Sequence, residues 1–234
     1  MSTLDQADVM KATKTCVSAQ RFQYDYLNDD IAEDGSIDYS LTDKVPAGLR
    51  KAIAEGKKIL VLINPPYAES GMGIGKGNKK GVSKTKFSDV AMKQYGKACN
   101  ELFTQFVVRI TKEIPSSTLA MFSTLKYINA PTLATFRQTW NAKYLGGFAV
   151  HSKAFDGLKG NFPIGFLIWV IKQNSNKKTS ITEVKVEVLN KNTQAVGEKI
   201  FHNVLNSNLL TNWIKRSKAN KIDTAAIPTL NRHK

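Results

Sequence analysis

The stretch ILVLI at residues 59–63, followed at once by Asn64-Pro65-Pro66-Tyr67, limits the fold more than any other feature of the chain. Apolar residues at five consecutive positions suit a strand covered on both faces, as in a parallel sheet packed between helices. Neither proline can donate a backbone hydrogen bond, so the ladder must stop there. In open parallel sheets functional groups gather just beyond the carboxyl ends of the strands, where Asn64 to Tyr67 fall. The Asn64 amide oxygen and the Pro65 carbonyl are adjacent acceptors, and two acceptors facing one point can hold both hydrogens of an amino group. The prolines restrict that backbone, and Tyr67 offers a flat face for stacking. The pattern suits a pocket for a planar ring bearing an exocyclic amine. Taken alone, a Pro-Pro turn favours the plainer reading, a rigid turn in which Asn64 caps backbone groups and Tyr67 packs on the surface.

Around this strand the sequence alternates strands with helices. Residues 5–19 suit a helix, Arg21 to Leu27 a short strand, and DDIAEDGSIDYS a loop. Pro46 opens and Gly56 closes a short helix before ILVLI. Between Tyr95 and Glu113, Ala98, Leu102, Phe106, Val107 and Ile110 recur at helical spacing, predicting one helix against the sheet. STLAMFST reads as the next buried strand, and Pro131 starts a helix running to Lys143. YLGGFAVHS, PIGFLIWVIK, ITEVKVEVL and EKIFHNV then follow as strands, with a basic helix near 208–219. The expected class is α/β, a largely parallel Rossmann-like sheet with an antiparallel C-terminal part. Residues 1–175 would form the main domain, and 176–234 an extension of it or a small appendage.

Charge narrows the function classes. The net charge is +15, and it is uneven. Residues 1–63 hold ten acids and eight Lys or Arg, a net of −2; residues 64–234 hold nine and twenty-six, a net of +17. The densest stretch, KGNKKGVSKTK, carries Lys76, Lys79, Lys80, Lys84 and Lys86 and no acid. Such a field suits a polyanion, and nucleic acid is the commonest one in the cytoplasm. A merely soluble basic surface is the other reading of charge alone. No apolar run reaches the ~20 residues of a membrane span, and MSTLDQADVMK lacks the features of a secretory signal. A cytoplasmic location is expected. Cys16 and Cys99 stand far apart and the three histidines lack metal-ligand spacing, so no metal site is expected.

The tetrapeptide and its surroundings resemble the amino-methyltransferases of DNA, in particular the bacterial and phage adenine-N6 enzymes of restriction-modification type. Their target-amine motif is Asp, Asn or Ser followed by Pro-Pro and an aromatic residue, and Asn64-Pro65-Pro66-Tyr67 matches it fully. FQYDYLNDD is similar to the family's cofactor-side acidic motif, which would bring Asp25 and Leu27 near the adenine of S-adenosylmethionine. NELF, STLKYINAPTLATFRQTW and NFPIGFLIWVI add weaker likenesses, so that the resemblance spans about residues 20–175. It implies attack by adenine N6 on the methyl carbon of S-adenosylmethionine. Asn64 and Pro65 would accept the amino hydrogens more strongly as the nitrogen becomes pyramidal. The base would be flipped out of the duplex and stacked on Tyr67.

One departure stands against these matches. The family's glycine-rich cofactor loop lies upstream of the acidic motif, yet no glycine precedes Asp25. GMGIGKG does not replace it: GxGxxG from Gly71 would need glycine where Lys76 stands, and a phosphate loop would need Ser or Thr where Gly77 stands. The 76–86 segment instead reads as a mobile basic loop for the nucleic acid or as a flexible insertion. The expectation is a DNA methyltransferase, as fragment or subunit, whose cofactor site is completed by an upstream segment or a second chain. Asp5 would then be a remnant of the ribose-binding acid. Without the family's first strand, the edge of residues 59–63 would be unpaired and Arg21 to Leu27 would stand apart from the main sheet. Two alternatives are a catalytically inactive nucleic-acid-binding module derived from such an enzyme, and a protein-glutamine methyltransferase. The positive charge after Asn64 speaks against the latter.

Overall fold

The computed structural model describes residues 18–66, 84–155, 158, 160–172 and 181–204, together with the backbone of residues 2–3. The chain divides into two compact units, Met1–Asn203 and Val204–Lys234, and every element below belongs to the first. The strands are β1 (Ser2–Thr3), β2 (Phe22–Gln23), β3 (Leu60–Ile63), β4 (Thr118–Thr124), β5 (Ala142–His151), β6 (Pro163–Ile171), β7 (Glu183–Leu189) and β8 (Ala195–His202). The α-helices are α1 (Ala47–Ala54), α2 (Lys86–Ala91), α3 (Leu102–Glu113), α4 (Lys126–Asn129) and α5 (Ala134–Thr139).

The fold is mixed α/β. Six strands form one sheet in the order β3-β4-β6-β5-β7-β8, while β1 and β2 pair in parallel as a separate two-stranded sheet. Pairing is parallel between β3 and β4 and between β5 and β7, and antiparallel in the other three pairs. β7 and β8, beyond residue 175, are strands of this same sheet. No helix among the described residues is long and apolar enough to cross a membrane.

Side chains alternate across each strand, so register decides what is buried. Opposite Leu119 and Met121 of β4 stand Trp169 and Leu167 of β6, and all four are buried. α3 packs its apolar residues Phe103, Val107, Val108 and Ile110 into the same core, beside Tyr127, Phe136 and Trp140. The helix expected from Tyr95 to Glu113 is broken. Gly96, at φ 59°, interrupts a 3-10 helix over Lys93–Asn100, and extended Glu101 (φ −103°, ψ 117°) separates it from α3. The spacing of apolar residues survives such a break because both pieces face one core. α1 follows Pro46 and ends before Gly56, whose φ of +63° suits the left-handed position after a helix. The helix begun at Pro131 is shorter than expected: a 3-10 turn and α5 end at Thr139, and Ala142 already belongs to β5.

Two further differences bear on function. The expected strand Arg21–Leu27 is paired only over Phe22–Gln23, because a hydrogen-bonded turn begins at Asp25. β3 was expected to be covered on both faces, but Leu60 is 69% and Leu62 is 68% exposed. Among the described residues β3 is an edge strand with β4 as its one neighbour, and the preceding α1 buries none of its residues. Consecutive apolar residues record a preference for cover that a strand cannot satisfy unless other elements supply it.

Candidate active site

Asn64 continues directly from β3, whose last residue, Ile63, pairs with Met121 of β4. Asn64 and Pro66 are exposed and Pro65 is buried. The ladder stops where the prolines begin, and the exposed amide of Asn64 lies beyond the carboxyl end of a strand paired in parallel. Tyr67, Asp5, Lys76, Lys79 and Lys80 lie outside the described residues.

Asp25 sits in a tight turn after β2. Its carbonyl accepts from Asn28 N (3.0 Å) and Asp29 N (2.8 Å), while its Oδ1 accepts from Leu27 N (3.3 Å) and its Oδ2 from Asn28 Nδ2 (2.8 Å). Aspartate commonly builds turns in this way, by bonding the backbone two residues on. Among the described residues each carboxylate oxygen has one of these partners, and an ionised carboxylate has about four acceptor positions, so the half-buried group retains capacity for a ligand N–H. Leu27 is 5% exposed and belongs to the hydrophobic core. Its contribution is to hold the turn against the core.

The structure brings two of the expected groups together. Leu27 O accepts from Phe87 N (3.1 Å), and Asn28 Oδ1 accepts from Lys86 N (2.8 Å). The turn of Asp25 is thereby fastened to the start of α2, where Lys84 and Lys86 lie. Thr85 caps α2 by accepting from Ser88 N (3.1 Å) and donates to Gln105 Oε1 of α3 (2.6 Å). Lys84 pairs with Asp89 and Lys86 with Glu33, each at 3.2 Å and with well-exposed lysines, so these ion pairs contribute at most about 1 kcal/mol. Asn64 to Pro66 and Asp25 are carried by different sheets, the first by β3 and the second by the loop after β2.

Sequence reasoning missed the residues that anchor the Asp25 turn. Arg109 of α3 is fully buried. It donates from Nη1 to the carbonyls of Tyr26 and Asp29 and from Nη2 to Tyr24 Oη (2.7 Å), and its Nε faces Glu113 Oε2 at 3.4 Å. Glu113 also accepts from Tyr26 Oη (2.6 Å) and Tyr39 Oη (2.7 Å). Buried Asp30 accepts from Tyr24 Oη (2.9 Å), Thr42 N (2.9 Å) and Thr42 Oγ1 (2.8 Å). Burial, and for Tyr26 and Tyr39 the adjacent Glu113 carboxylate, hold the three phenols well above the ordinary tyrosine value. The one signal available in sequence was an Arg and a Glu four residues apart on the helix between the 3-10 segment and β4. An open depression of about 480 Å³, bounded by Asp34, Ile53, Lys112 and Glu113 among others, lies beside this network and includes none of the expected site residues.

No known family model and no curated protein matches the sequence. Solved structures do match. A nuclease-deletion mutant of the type ISP restriction-modification enzyme LlaGI, in complex with a DNA substrate mimic, aligns over 84% of this chain with a TM-score of 0.50 and 11% identity. The likeness is one of fold. The chain spans about a fifth of the LlaGI chain, 20% of its length. The DrdV–DNA complex (TM-score 0.44, 13% identity, 81% of this chain, 20% of that one) is also similar. So is the M protein of the type I restriction enzyme EcoKI (0.42, 12%, 81% and 35%).

Proposed function

We propose that this chain is the target-amine portion of a DNA methyltransferase that transfers a methyl group from S-adenosylmethionine to adenine N6. The observation that carries the reading is Asn64-Pro65-Pro66, followed by Tyr67, at the carboxyl end of β3 within a fold shared with a restriction-modification enzyme. S-adenosylmethionine supplies an electrophilic methyl carbon. The chain's own residues act on the nucleophile: Asn64 Oδ1 and the Pro65 carbonyl accept the amino hydrogens and favour the pyramidal nitrogen of the transition state. Tyr67 stacks on the flipped base, contributing about 1–3 kcal/mol against the energy of extrusion. Lys76, Lys79, Lys80, Lys84 and Lys86 bind DNA phosphates.

On the cofactor side Asp25 fits an acceptor role toward the adenine amino group through its remaining acceptor positions, with Leu27 behind it. Among the described residues the edge of β3 is open and Leu60 and Leu62 are exposed, which suits the addition of a further strand. We assign that strand to an upstream segment or a second chain bearing the glycine-rich cofactor loop.

The test uses the chain combined with such a segment, labelled S-adenosylmethionine and duplex DNA, with digestion to nucleosides. N6-methyladenine should form, and Asn64→Ala should lower the rate by about 10²-fold or more with DNA affinity nearly unchanged. Label in cytosine or protein, or full activity in Asn64→Ala, would refute the assignment.

A further inference from the structure

The Arg109 guanidinium is fully buried, and beside Tyr24 and Glu113 it holds backbone. One nitrogen, Nη1, reaches both the Tyr26 and the Asp29 carbonyls, while the guanidinium carbon lies 4.4 Å from the Tyr26 ring centroid and 5.3 Å from that of Tyr24. Those carbonyls stand on either side of Leu27 and Asn28, whose N–H and side-chain amide bond the Asp25 carboxylate. From the opposite side the turn closes on itself through the Asp25 carbonyl, and Asp29 Oδ2 accepts from Asp25 N (2.9 Å). The fork therefore fixes the orientation of the peptide units that aim the Asp25 side chain.

An apolar residue would fill the same volume without burying a charge, and such replacements are often neutral or stabilising. It could not bind two carbonyls at a set angle. A planar guanidinium can, and a lysine ammonium at the end of a flexible stem does so far less well. α3 also carries Gln105, which holds Thr85 at the start of α2, so one helix fastens the turn and the segment bonded to it.

We propose that Arg109 is a positioning residue for Asp25, holding the turn in the geometry that presents the carboxylate's remaining acceptor positions to the adenine amino group of an adenosyl ligand. The proposal rests on the cofactor-side reading of Asp25 given above. Its test is Arg109→Lys, which keeps a positive charge but has one nitrogen on a shorter reach where the guanidinium has three, and so cannot hold both carbonyls together with the Tyr24 hydroxyl and Glu113. Amide hydrogen exchange in this chain should quicken roughly tenfold or more at Leu27, Asn28 and Asp29, with β4 and β6 amides unchanged. In the chain completed by its cofactor-loop segment, S-adenosylmethionine affinity should fall roughly tenfold while DNA affinity is unchanged, a split that general destabilisation would not produce. Where Arg109→Lys does not fold, Tyr24→Phe, which removes one acceptor of the guanidinium, should shift both readouts in the same direction.

Unchanged exchange in the turn overturns the proposal. So does unchanged S-adenosylmethionine affinity in Arg109→Lys when Asp25→Asn weakens binding, and in that case the cofactor reading survives. If Asp25→Asn also binds normally, the cofactor reading of Asp25 fails and the proposal falls with it.

Discussion

Replacing Glu113 with alanine should be among the most damaging single changes outside the apolar core. The side chains of Arg109 and Glu113 are 0% and 5% exposed, so the substitution strands a buried cation rather than loosening a surface pair. Breaking such a pair from one side removes about 3–5 kcal/mol. Arg109 keeps the Tyr26 and Asp29 carbonyls and the Tyr24 hydroxyl as acceptors, and its contact with Glu113 is long at 3.4 Å, so the lower end applies. The Tyr26 hydroxyl loses its acceptor as well, at about 1–2 kcal/mol, whereas Tyr39 lines the open depression, where water can replace the bond. The sum, about 4–5 kcal/mol, is a large part of the ~5–15 kcal/mol that stabilises a domain. At roughly 2–4 °C per kcal/mol for a domain of this size, Tm should fall by about 8–20 °C. Urea denaturation followed by the fluorescence of buried Trp140 and Trp169 measures the loss directly. The double variant Arg109→Met with Glu113→Leu, which leaves no orphaned charge, should lose at least about 1 kcal/mol less than the sum of its single changes. A loss below about 1 kcal/mol in Glu113→Ala, or strict additivity in the cycle, would refute this account of the network.

The phenols give a pH dependence of definite sign. Tyr24, Tyr26, Tyr39 and Tyr127 have their pKa values raised by burial, so unfolded phenols ionise first, and above about pH 10 stability should fall by about 1.4 kcal/mol per pH unit for each. Absorbance at the phenolate band should therefore rise together with loss of fold, and ionisation well before unfolding would contradict the burial. Changing Lys76, Lys79, Lys80, Lys84 and Lys86 to Gln should flatten the plot of log DNA affinity against log salt by up to about 4.5, and less where the Asp89 and Glu33 pairs compete. An unchanged slope would show that these lysines do not meet phosphates. Leu60→Lys with Leu62→Lys should suppress concentration-dependent light scattering of the chain alone, with stability altered by no more than about 0.5 kcal/mol. Undiminished association would place the sticky surface elsewhere.

The sequence by itself determined the alternation of strands and helices, the short helix between Pro46 and Gly56, the strand that stops at Asn64, and the sign and place of the charge. Each of these is local: proline and glycine constrain their own backbone, and an apolar run marks surface that must leave water. The α/β class followed from the same signals, and so did the separation of β2 from the main sheet once the resemblance was drawn. Only the tertiary structure decided how those pieces are joined. The unpaired edge of β3 among the described residues followed from the resemblance, but the apolar run cannot report that Leu60 and Leu62 are uncovered, because exposure depends on which elements pack over that face. Nor could periodicity show that Leu27 is core, or that the Asp25 turn is bonded to the start of α2 through Asn28. Arg109 lies 80 residues beyond Asp29 in sequence, and the hydrogen bond between them exists only after α3 has packed into the core and brought a buried charge up to a turn whose carbonyls point toward it. A burial pattern records how much surface is removed from water, whereas the partners of a buried polar group are set by chain segments that meet only in the folded state.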